Sequence, residues 1–557
     1  MSRFTSFRIA ALILAIVPVA VVKGMSNRAV EMNRVFEAYD KNHYNMCGFH
    51  IIGHYLSLPG ADPAIKSIMQ TRPSEDTSIV SPSGEFRIHF DTSGVNEPVL
   101  YNSNGQAEPG SAFAFADSVA KICDYVYYVE VDSLGFPPPP SDSGAGGGNE
   151  YDIYIEGLPL GEYGYTDWNS AHPIIQRVNP TYATWTVIRN EFESTYTQGI
   201  PAIEVTIAHE FNHAIQVGDY GVWLNDLWFY ELTSTWMEQV VYPNVKDYYQ
   251  YLPNFFDNIS AKPFNSYNPT DFAGYERCVF GIFVQHAYGV QLMKAIWQNL
   301  SHEQVMPAIE AAFKSDGVSP SAAFQLFSEW NYFTGYRASL ANEFSVASYP
   351  SASAYPMAGI EGSGVLTNSG VTFSGVALSL TEHFFQVNDG PDTVGLAVSN
   401  VNFAAAVSAD TTEFPFSVGI SKGGSNCVKQ LSGGYCLFFD VSSFTNWSLV
   451  PFVSGQALVA AQDLVFPQPF NPSIEELKIP YPFLVTNGAS LWIYDISGDL
   501  IDRVVGDAQI VHYLRGSYFV WDGEAADGRK VGSGIYIYVV SDGSKSVTGK
   551  IAVVRSR

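Results

Sequence analysis

The spacing of hydrophobic and polar residues changes along this chain, and it predicts a multidomain protein. Over 81–348, apolar residues recur mostly at helical spacing, with a few alternating stretches that have the period of strands. Over 360–463, short runs rich in Val, Phe, Ser and Thr are separated by Gly, Asn and Asp, and a similar pattern with Asp-Gly turns returns over 464–557. We therefore expect an α+β domain followed by two all-β sandwich domains.

The N-terminus combines a basic start with a short apolar run. Residues 1–8 contain two Arg and no acid, and residues 9–22 are continuously apolar. This run is shorter than the roughly 20 residues that cross a bilayer core of about 30 Å. It therefore predicts a secretory signal peptide over 1–24 and no transmembrane segment in the mature chain. The stretch 25–80 that follows is predicted to be a propeptide or N-terminal segment.

Composition and charge argue against one class of partner. The 557-residue chain has 29 Lys and Arg against 55 Asp and Glu, a formal net charge of −26, and 46% hydrophobic residues. The apolar content is ample for real cores. A nucleic-acid partner would need a cationic face, which this balance does not favour. We expect a secreted protein with no nucleic-acid partner.

One short stretch carries candidate metal chemistry. His209, Glu210 and His213 stand in the spacing His-Glu-x-x-His, within an apolar segment free of Pro and Gly. Positions i and i+4 lie one above the other on a helix, so both His can bind one metal ion. Zinc prefers such ligands, and a catalytic zinc keeps one position open for water. Glu210 would lie beside that position, where a carboxylate can take a proton from the water.

A third ligand separates a zinc site from a chance match to this short pattern. Glu231 is the candidate, because residues at helical spacing follow it and it would open a second helix. The stretch 218–227, with two Gly and two Asp, supplies the turn between the helices. Two His on one helix and a Glu at the start of the next make a His2Glu ligand set, as in catalytic zinc sites.

The stretch from Thr206 to Tyr242 resembles the gluzincin metallopeptidases, on the motifs His-Glu-Phe-Asn-His-Ala-Ile-Gln and Glu-Leu-Thr-Ser-Thr-Trp-Met-Glu. More closely, it is similar to secreted bacterial metallopeptidases with a cell-surface sorting domain at the C-terminus. The resemblance implies a zincin-like fold for the α+β domain and a zinc ion bound by His209, His213 and Glu231. It also implies hydrolysis of protein or peptide substrates with Glu210 as the general base.

The resemblance leaves open which group orients the ligand imidazoles. Thermolysin-like enzymes place an Asp four residues after the ligand Glu, and this chain has Thr235 at that position. Partners behind the ligands fix the tautomer and the direction of each ring. Glu238 or a backbone carbonyl is the alternative to Thr235 as the partner of His209 or His213.

Peptide hydrolysis also passes through a tetrahedral oxyanion that needs a hydrogen-bond donor besides the metal. Similar gluzincins use a Tyr or His from the helical half of the domain for this purpose. By that resemblance the donor is Tyr275, which begins a predicted helix, and His286 is the alternative. Tyr275 fits a packed interface residue equally well.

Two further features bear on access to the metal. In zincins an edge strand beside the metal helix pairs with extended substrate, and we expect this strand between Tyr151 and Thr166. Cys47 has two interpretations. It is a small buried hydrophobe, as free Cys usually is, or its thiolate occupies the open zinc position.

The last β domain, 464–557, resembles the C-terminal sorting domains of Gram-negative type IX secretion and the Ig-like domain of flagellar hook-capping proteins. The motifs are Phe-Pro-Gln-Pro-Phe-Asn-Pro near its start and Gly-Ile-Tyr-Ile-Tyr-Val-Val near its end. That resemblance implies that Gly534–Arg557 is read by the secretion machinery. The protein would then be secreted or held on the surface of a Gram-negative bacterium. In the preceding domain, Cys427 and Cys436 flank a Gly-Gly turn, and we expect a disulfide between them after export.

Two functions from different classes fit these features. The first is a secreted zinc endopeptidase in which Glu210 takes a proton from water and delivers it to the leaving amine. The second is a surface adhesin or glycan-binding protein with a catalytically inert zincin-like domain. The two β domains fit either function, and the metal motif favours the peptidase.

Overall fold

The computed structural model describes most of the chain before residue 400 and shorter ranges after it. The described residues are 27–39, 46–270, 273–341, 347–389, 392–400, 414–422, 429–430, 435–440, 447–453, 470, 472, 476–481, 488–506, 510–513, 516–543 and 546–555. The predicted signal peptide at 1–24 and Cys427 of the predicted disulfide lie outside these ranges.

The chain divides into two compact units. The first is Met1–Asp247 with Tyr267–Tyr275, and the second is Tyr248–Ser266 with Glu276–Arg557. The division falls inside the stretch 81–348 that the sequence assigns to one domain. The motif-bearing helices thus belong to the first unit, and the later helices belong to the unit that holds the β sandwiches.

The described part of the first unit mixes helices with one main sheet. Its helices are α1 (Asn27–Tyr39), α2 (Phe49–Ser57), α3 (Pro63–Met69), α4 (Ala112–Tyr127), α5 (Ile200–Ile215) and α6 (Leu227–Val241). Its strands are β1 (Thr77–Val80), β2 (Phe86–Phe90), β3 (Leu100–Tyr101), β4 (Ala107–Glu108), β5 (Tyr151–Glu156), β6 (Gly164–Trp168) and β7 (Thr184–Arg189).

The main sheet has the strand order β1-β2-β5-β7-β6. Strands β2, β5 and β7 run parallel, while β1 and β6 pair antiparallel with their neighbours. Every residue of β6 and β7 is buried, and α5 packs against both strands. Strand β5, at the start of the range predicted for substrate pairing, is therefore an inner strand. Strand β6, which includes Thr166, is the edge strand that packs against α5.

Helix α5 carries the His-Glu-x-x-His motif and is buried along most of its length. Pro201 lies in its first turn, where a missing N–H breaks no helical hydrogen bond. The helix continues as a π-helical turn over Gln216–Tyr220 and stops at Gly221, whose φ is 86°. Only Gly adopts such a φ at little cost, so Gly221 fixes where this helix ends.

Helix α6 begins at Leu227. Its predicted start was Glu231, about one turn later. Leu227, Trp228 and Phe229 are at most 1% exposed. Their burial extends the helix toward its N-terminus, because apolar packing outweighs the polar turn signal just before it. Glu231 therefore lies in the second turn of α6, and α6 packs directly on α5.

The described part of the second unit has helices followed by strands. The helices are α7 (Leu252–Asn258), α8 (Cys278–Tyr288), α9 (Val290–Leu300), α10 (Val305–Ser315) and α11 (Pro320–Tyr332). The strands up to residue 453 are β8 (Gly362–Val365), β9 (Val371–Ala377), β10 (Glu382–Asp389), β11 (Asp392–Asn400), β12 (Phe414–Lys422), β13 (Lys429–Gln430), β14 (Tyr435–Asp440) and β15 (Trp447–Val453). The remaining strands are β16 (Leu477–Tyr481), β17 (Ser490–Asp495), β18 (Leu500–Val505), β19 (Ile510–Tyr513), β20 (Gly516–Trp521), β21 (Gly534–Ser541) and β22 (Ser546–Val553).

These strands form two pairs of sheets, each pair with its own apolar core. The first pair has the orders β15-β11-β10-β8 and β13-β14-β12-β9, and Val387, Leu396 and Val418 lie in its core. The second pair has the orders β16-β20-β19 and β18-β17-β21-β22, and its core includes Leu491 and Phe519. The described residues thus form a multidomain α+β protein that contains several β-sheets. None of the helices in the described ranges combines the length and apolar character that a membrane crossing requires.

Candidate metal centre

Four buried side chains that carry metal-binding atoms converge in the first unit. They are Cys47, His209, His213 and Glu231, and one such atom from each lies within 4.8 Å of the others. The two His come from α5, Glu231 comes from α6, and Cys47 stands just before α2. The three predicted ligands are therefore brought together, and the N-terminal segment contributes a fourth atom.

The three predicted ligand atoms form a nearly equilateral triangle. His209 Nε2 lies 3.1 Å from Glu231 Oε2 and 3.1 Å from His213 Nε2, and His213 Nε2 lies 3.3 Å from Glu231 Oε2. Zinc–ligand bonds of about 2.0–2.1 Å in tetrahedral geometry place two ligand atoms about 3.3 Å apart. The triangle therefore has the size that one zinc ion needs.

The charges of His209 and Glu231 suit a metal, whereas the pKa of His213 is raised because the nearby acceptors, Glu231 first, outweigh the lowering effect of burial. Burial lowers the pKa of His209 to about 4, so this imidazole is neutral near neutral pH. Burial alone would raise the pKa of Glu231, but attraction to His213 and hydrogen bonds with the histidines hold it well below its ordinary value. A deprotonated carboxylate and a neutral imidazole are the forms that bind a metal ion.

The atoms behind the two histidines fix their tautomers. His209 Nδ1 lies 2.8 Å from Glu238 Oε1, and His213 Nδ1 lies 2.7 Å from Gln216 Oε1. The Gln216 amide nitrogen donates to Asn212 Oδ1 at 2.6 Å, so its oxygen is the atom that faces the ring. That oxygen only accepts, so His213 carries its proton on Nδ1 and leaves the Nε2 lone pair for the metal.

The two residues expected behind the ligands therefore differ in what they contact. Glu238 meets His209, whereas the Thr235 hydroxyl donates to the Glu231 carbonyl of its own helix at 2.9 Å. Gln216 hydrogen-bonds to Nδ1 of His213, as Glu238 does to Nδ1 of His209. Gln216 was not predicted from the sequence. Its position three residues after His213 on the same helix was the available signal.

The two carboxylate oxygens of Glu210 differ in their hydrogen bonding. Its Oε2 accepts a hydrogen bond from Thr166 Oγ1 at 2.9 Å. Its Oε1 is buried, and no described residue donates a hydrogen bond to it. Burial, offset in part by His213, raises the pKa of Glu210 to about 7. An interaction with the Cys47 side chain also partly lowers the pKa of Glu210.

Tyr275 and His50 also lie beside the cluster, and His50 was not predicted from the sequence. The Tyr275 hydroxyl donates to the Cys47 carbonyl at 3.0 Å and lies 3.1 Å from His50 Nδ1. His50 Nδ1 is also 3.0 Å from Glu231 Oε1, the carboxylate oxygen outside the triangle. His286, the alternative to Tyr275, is exposed on α8 in the second unit.

The comparisons with known proteins add little to this picture. No family model matches the chain, and no curated protein matches it. Similar solved structures include PorZ, a surface component of the type IX secretion system of Porphyromonas gingivalis, and dimeric latent PorU of the same organism. The PorZ match has 16% identity and a TM-score of 0.14, and it covers 32% of this chain and 23% of that chain. The PorU match has 16% identity and a TM-score of 0.14, and it covers 35% and 19%.

The chain thus spans about a quarter or less of the length of these neighbours. These distant neighbours are type IX secretion components. Because the TM-scores are so low, the likeness is local and says nothing of the activity of this chain.

Proposed function

We propose that this protein is a secreted zinc-dependent endopeptidase of gluzincin type. The observation that carries the proposal is the buried triangle of His209 Nε2, His213 Nε2 and Glu231 Oε2, with sides of 3.1–3.3 Å. Glu210 stands beside it with an unsatisfied Oε1. The ligand set is that of catalytic zinc sites with two His and one Glu.

Each side chain has a task in peptide hydrolysis. Zinc held by the three ligands would polarise the scissile carbonyl and lower the pKa of the attacking water. Glu210 Oε1 would accept the proton of that water and hand it to the leaving amine, while the hydrogen bond from Thr166 to Oε2 restrains the carboxylate. The Tyr275 hydroxyl, which donates to the Cys47 carbonyl, would donate to the oxyanion.

The substrate backbone has a strand to pair with. Strand β6 is at the sheet edge, and its Thr166 contacts Glu210. An extended peptide added to this edge would be read through main-chain hydrogen bonds, which are common to all peptides. This arrangement suits a protein or peptide substrate.

The test compares cleavage of an unfolded protein such as casein by zinc-loaded Cys47→Ser, which lacks the thiol beside the ligands, with and without the further change Glu210→Gln. The amide keeps the shape of the side chain but cannot carry the proton, so the variant should keep zinc and lose cleavage. Equal cleavage by both proteins would remove Glu210 from the mechanism. Binding to a glycan array without cleavage by any form would favour the inert adhesin instead.

We further propose that residues 464–557 are an export address that takes no part in catalysis. The support is their resemblance to type IX sorting domains and the separate apolar core between their two sheets, which includes Leu491 and Phe519. A sandwich with its own core can fold alone. The protein would then be secreted or held on the surface of a Gram-negative bacterium by that secretion machinery.

Deletion of 464–557 should therefore leave a folded protein that binds zinc but stays inside the cell envelope. Cell fractionation with a type IX-competent host measures the location, and zinc content of the purified product measures the fold of the site. The matched control is a fusion of 464–557 to a periplasmic reporter protein, which should reach the surface. Export of the deleted chain at the parental level would contradict the proposal.

A further inference from the structure

The Cys47 side chain lies among the proposed zinc ligands. Its Sγ belongs to the buried cluster with the three proposed zinc ligands. The Phe49 N–H donates to this sulfur at 3.3 Å, and Cys47 is fully buried. A cysteine binds zinc as its thiolate, so binding at this sulfur would release the thiol proton.

The main chain around Cys47 occupies the edge that a peptide substrate would use. Gly48 N–H donates to the Gly164 carbonyl at 3.0 Å, and the Met46 carbonyl accepts from the Tyr163 N–H at 2.7 Å. Cys47 thereby forms a parallel bridge to Gly164 at the outer edge of β6. Strand β6 pairs with β7 on its other side, so this segment closes the edge at the metal centre.

The main chain at Gly48 passes close to the side chains of Phe36 and Tyr165, which leaves little space for a larger residue. A Cβ on Gly48 would lie 2.5 Å from Phe36 Cζ and 3.2 Å from Tyr165 Cβ. The segment is therefore clamped between α1 and β6, and it is held there by packing as well as by hydrogen bonds.

Residues next to Cys47 occupy the remaining parts of the site. The Phe49 ring stacks on His213 with centroids 4.0 Å apart, and the His50 N–H and Nδ1 both contact Glu231 Oε1. The Cys47 carbonyl accepts from the Tyr275 hydroxyl, which is the interaction proposed above for the substrate carbonyl. The segment thus mimics a bound peptide in three respects: edge pairing, the carbonyl contact and a group at the metal.

We propose that Cys47 is the fourth ligand of the metal centre and that Met46–His50 keeps the protein latent by filling both the open metal position and the substrate edge. This inference rests on the proposed zinc peptidase. A structural zinc has four protein ligands, whereas a catalytic zinc needs one position for water. Activation is a ligand exchange: the thiolate leaves and takes up a proton from solvent while water takes its place, and no electrons are transferred.

Cobalt(II) substitution reports on the cysteine directly, because a thiolate bound to cobalt gives charge-transfer absorption in the near ultraviolet. The full chain loaded with cobalt should show this band, and Cys47→Ser should lose it. Serine is nearly isosteric and its oxygen can still accept from the Phe49 N–H, so the variant is expected to fold. Cys123→Ser is the matched control, since Cys123 is also buried and free but lies on α4 outside the cluster. It should keep the band.

Peptidase activity tests the latency. Zinc-loaded Cys47→Ser should cleave casein at least about tenfold faster than the parent and than Cys123→Ser, because loss of the thiolate would free the fourth metal position for the water that a catalytic zinc needs. Absence of the band from the parent overturns the inference, even if Cys47→Ser does not fold. A band in the parent, combined with loss of zinc and no gain of activity in Cys47→Ser, identifies a closed structural site and overturns the latency.

The two proposals fail in different ways. Cleavage that depends on Glu210, in a parent without the thiolate band, leaves the peptidase standing and removes Cys47 from the metal. A thiolate band with no cleavage by any zinc-loaded variant leaves Cys47 as a ligand and removes the peptidase together with its latency.

Discussion

Glu210→Gln should lower casein cleavage by about 10²–10⁴-fold, the range by which a positioned acid or base accelerates a reaction. The comparison is made in the Cys47→Ser background, so that latency does not mask the effect. The three ligand atoms are on other residues, and the Gln amide can still accept the Thr166 hydrogen bond that Glu210 Oε2 accepts at 2.9 Å. Zinc content should therefore stay the same while the rate falls.

The control for Glu210→Gln is Glu204→Gln on the same helix. Glu204 also lies on α5 but is only partly buried and is not among the clustered residues. Its variant should cleave casein within about twofold of the background, since substitutions away from such features usually change little. Initial rates at saturating zinc measure both variants. Retention of half or more of the activity by Glu210→Gln would show that another group carries the proton.

The second large effect is on zinc affinity, which should fall much further when Glu231 is replaced than when Glu238 is replaced. Glu231→Ala should weaken zinc binding by more than about 100-fold, and Glu238→Ala by about 10–100-fold, the range for a partner behind a ligand. The reason is position: Glu231 Oε2 is an apex of the ligand triangle, while Glu238 Oε1 contacts the far nitrogen of His209.

Glu238→Gln refines this comparison, because its amide oxygen can still accept from His209 Nδ1. It should bind zinc more tightly than Glu238→Ala. Competition against a chelating indicator at one fixed pH measures all three variants, since protons compete with the metal for the ligands. A zinc-free Glu238→Ala beside a zinc-replete Glu231→Ala would mean that the ligands have been assigned wrongly.

Local sequence patterns predicted the parts of the site that lie on one helix or on consecutive helices. The His-Glu-x-x-His spacing predicted that His209 and His213 share one face of a helix. Glu231 was predicted as the third ligand from the next helix, and it lies close to both His. His50 was missed because its contact with Glu231 spans 181 positions. No periodicity within α2 records that contact. Thr166 reaches Glu210 across 44 positions from a strand and was equally invisible.

The same limit applies to the fold. The sequence predicted a strand between Tyr151 and Thr166 but not the place of β5 inside the sheet, because strand order depends on pairing with β2 and β7, which are distant in sequence. Turn residues before Glu231 suggested a helix start there. The buried aromatic residues Trp228 and Phe229 instead extend α6 by about one turn. At the start of α6, tertiary packing outweighed local propensity.

The shell of atoms around zinc in the full chain tests the metal centre most directly. X-ray absorption at the zinc edge should show about one zinc per chain with nitrogen or oxygen neighbours at about 2.0–2.1 Å and one sulfur at about 2.3 Å. Scattering from the outer atoms of two imidazole rings, those of His209 and His213, should accompany them. A chain that binds no zinc, or a zinc shell without imidazole, would contradict the proposed centre and the peptidase built on it.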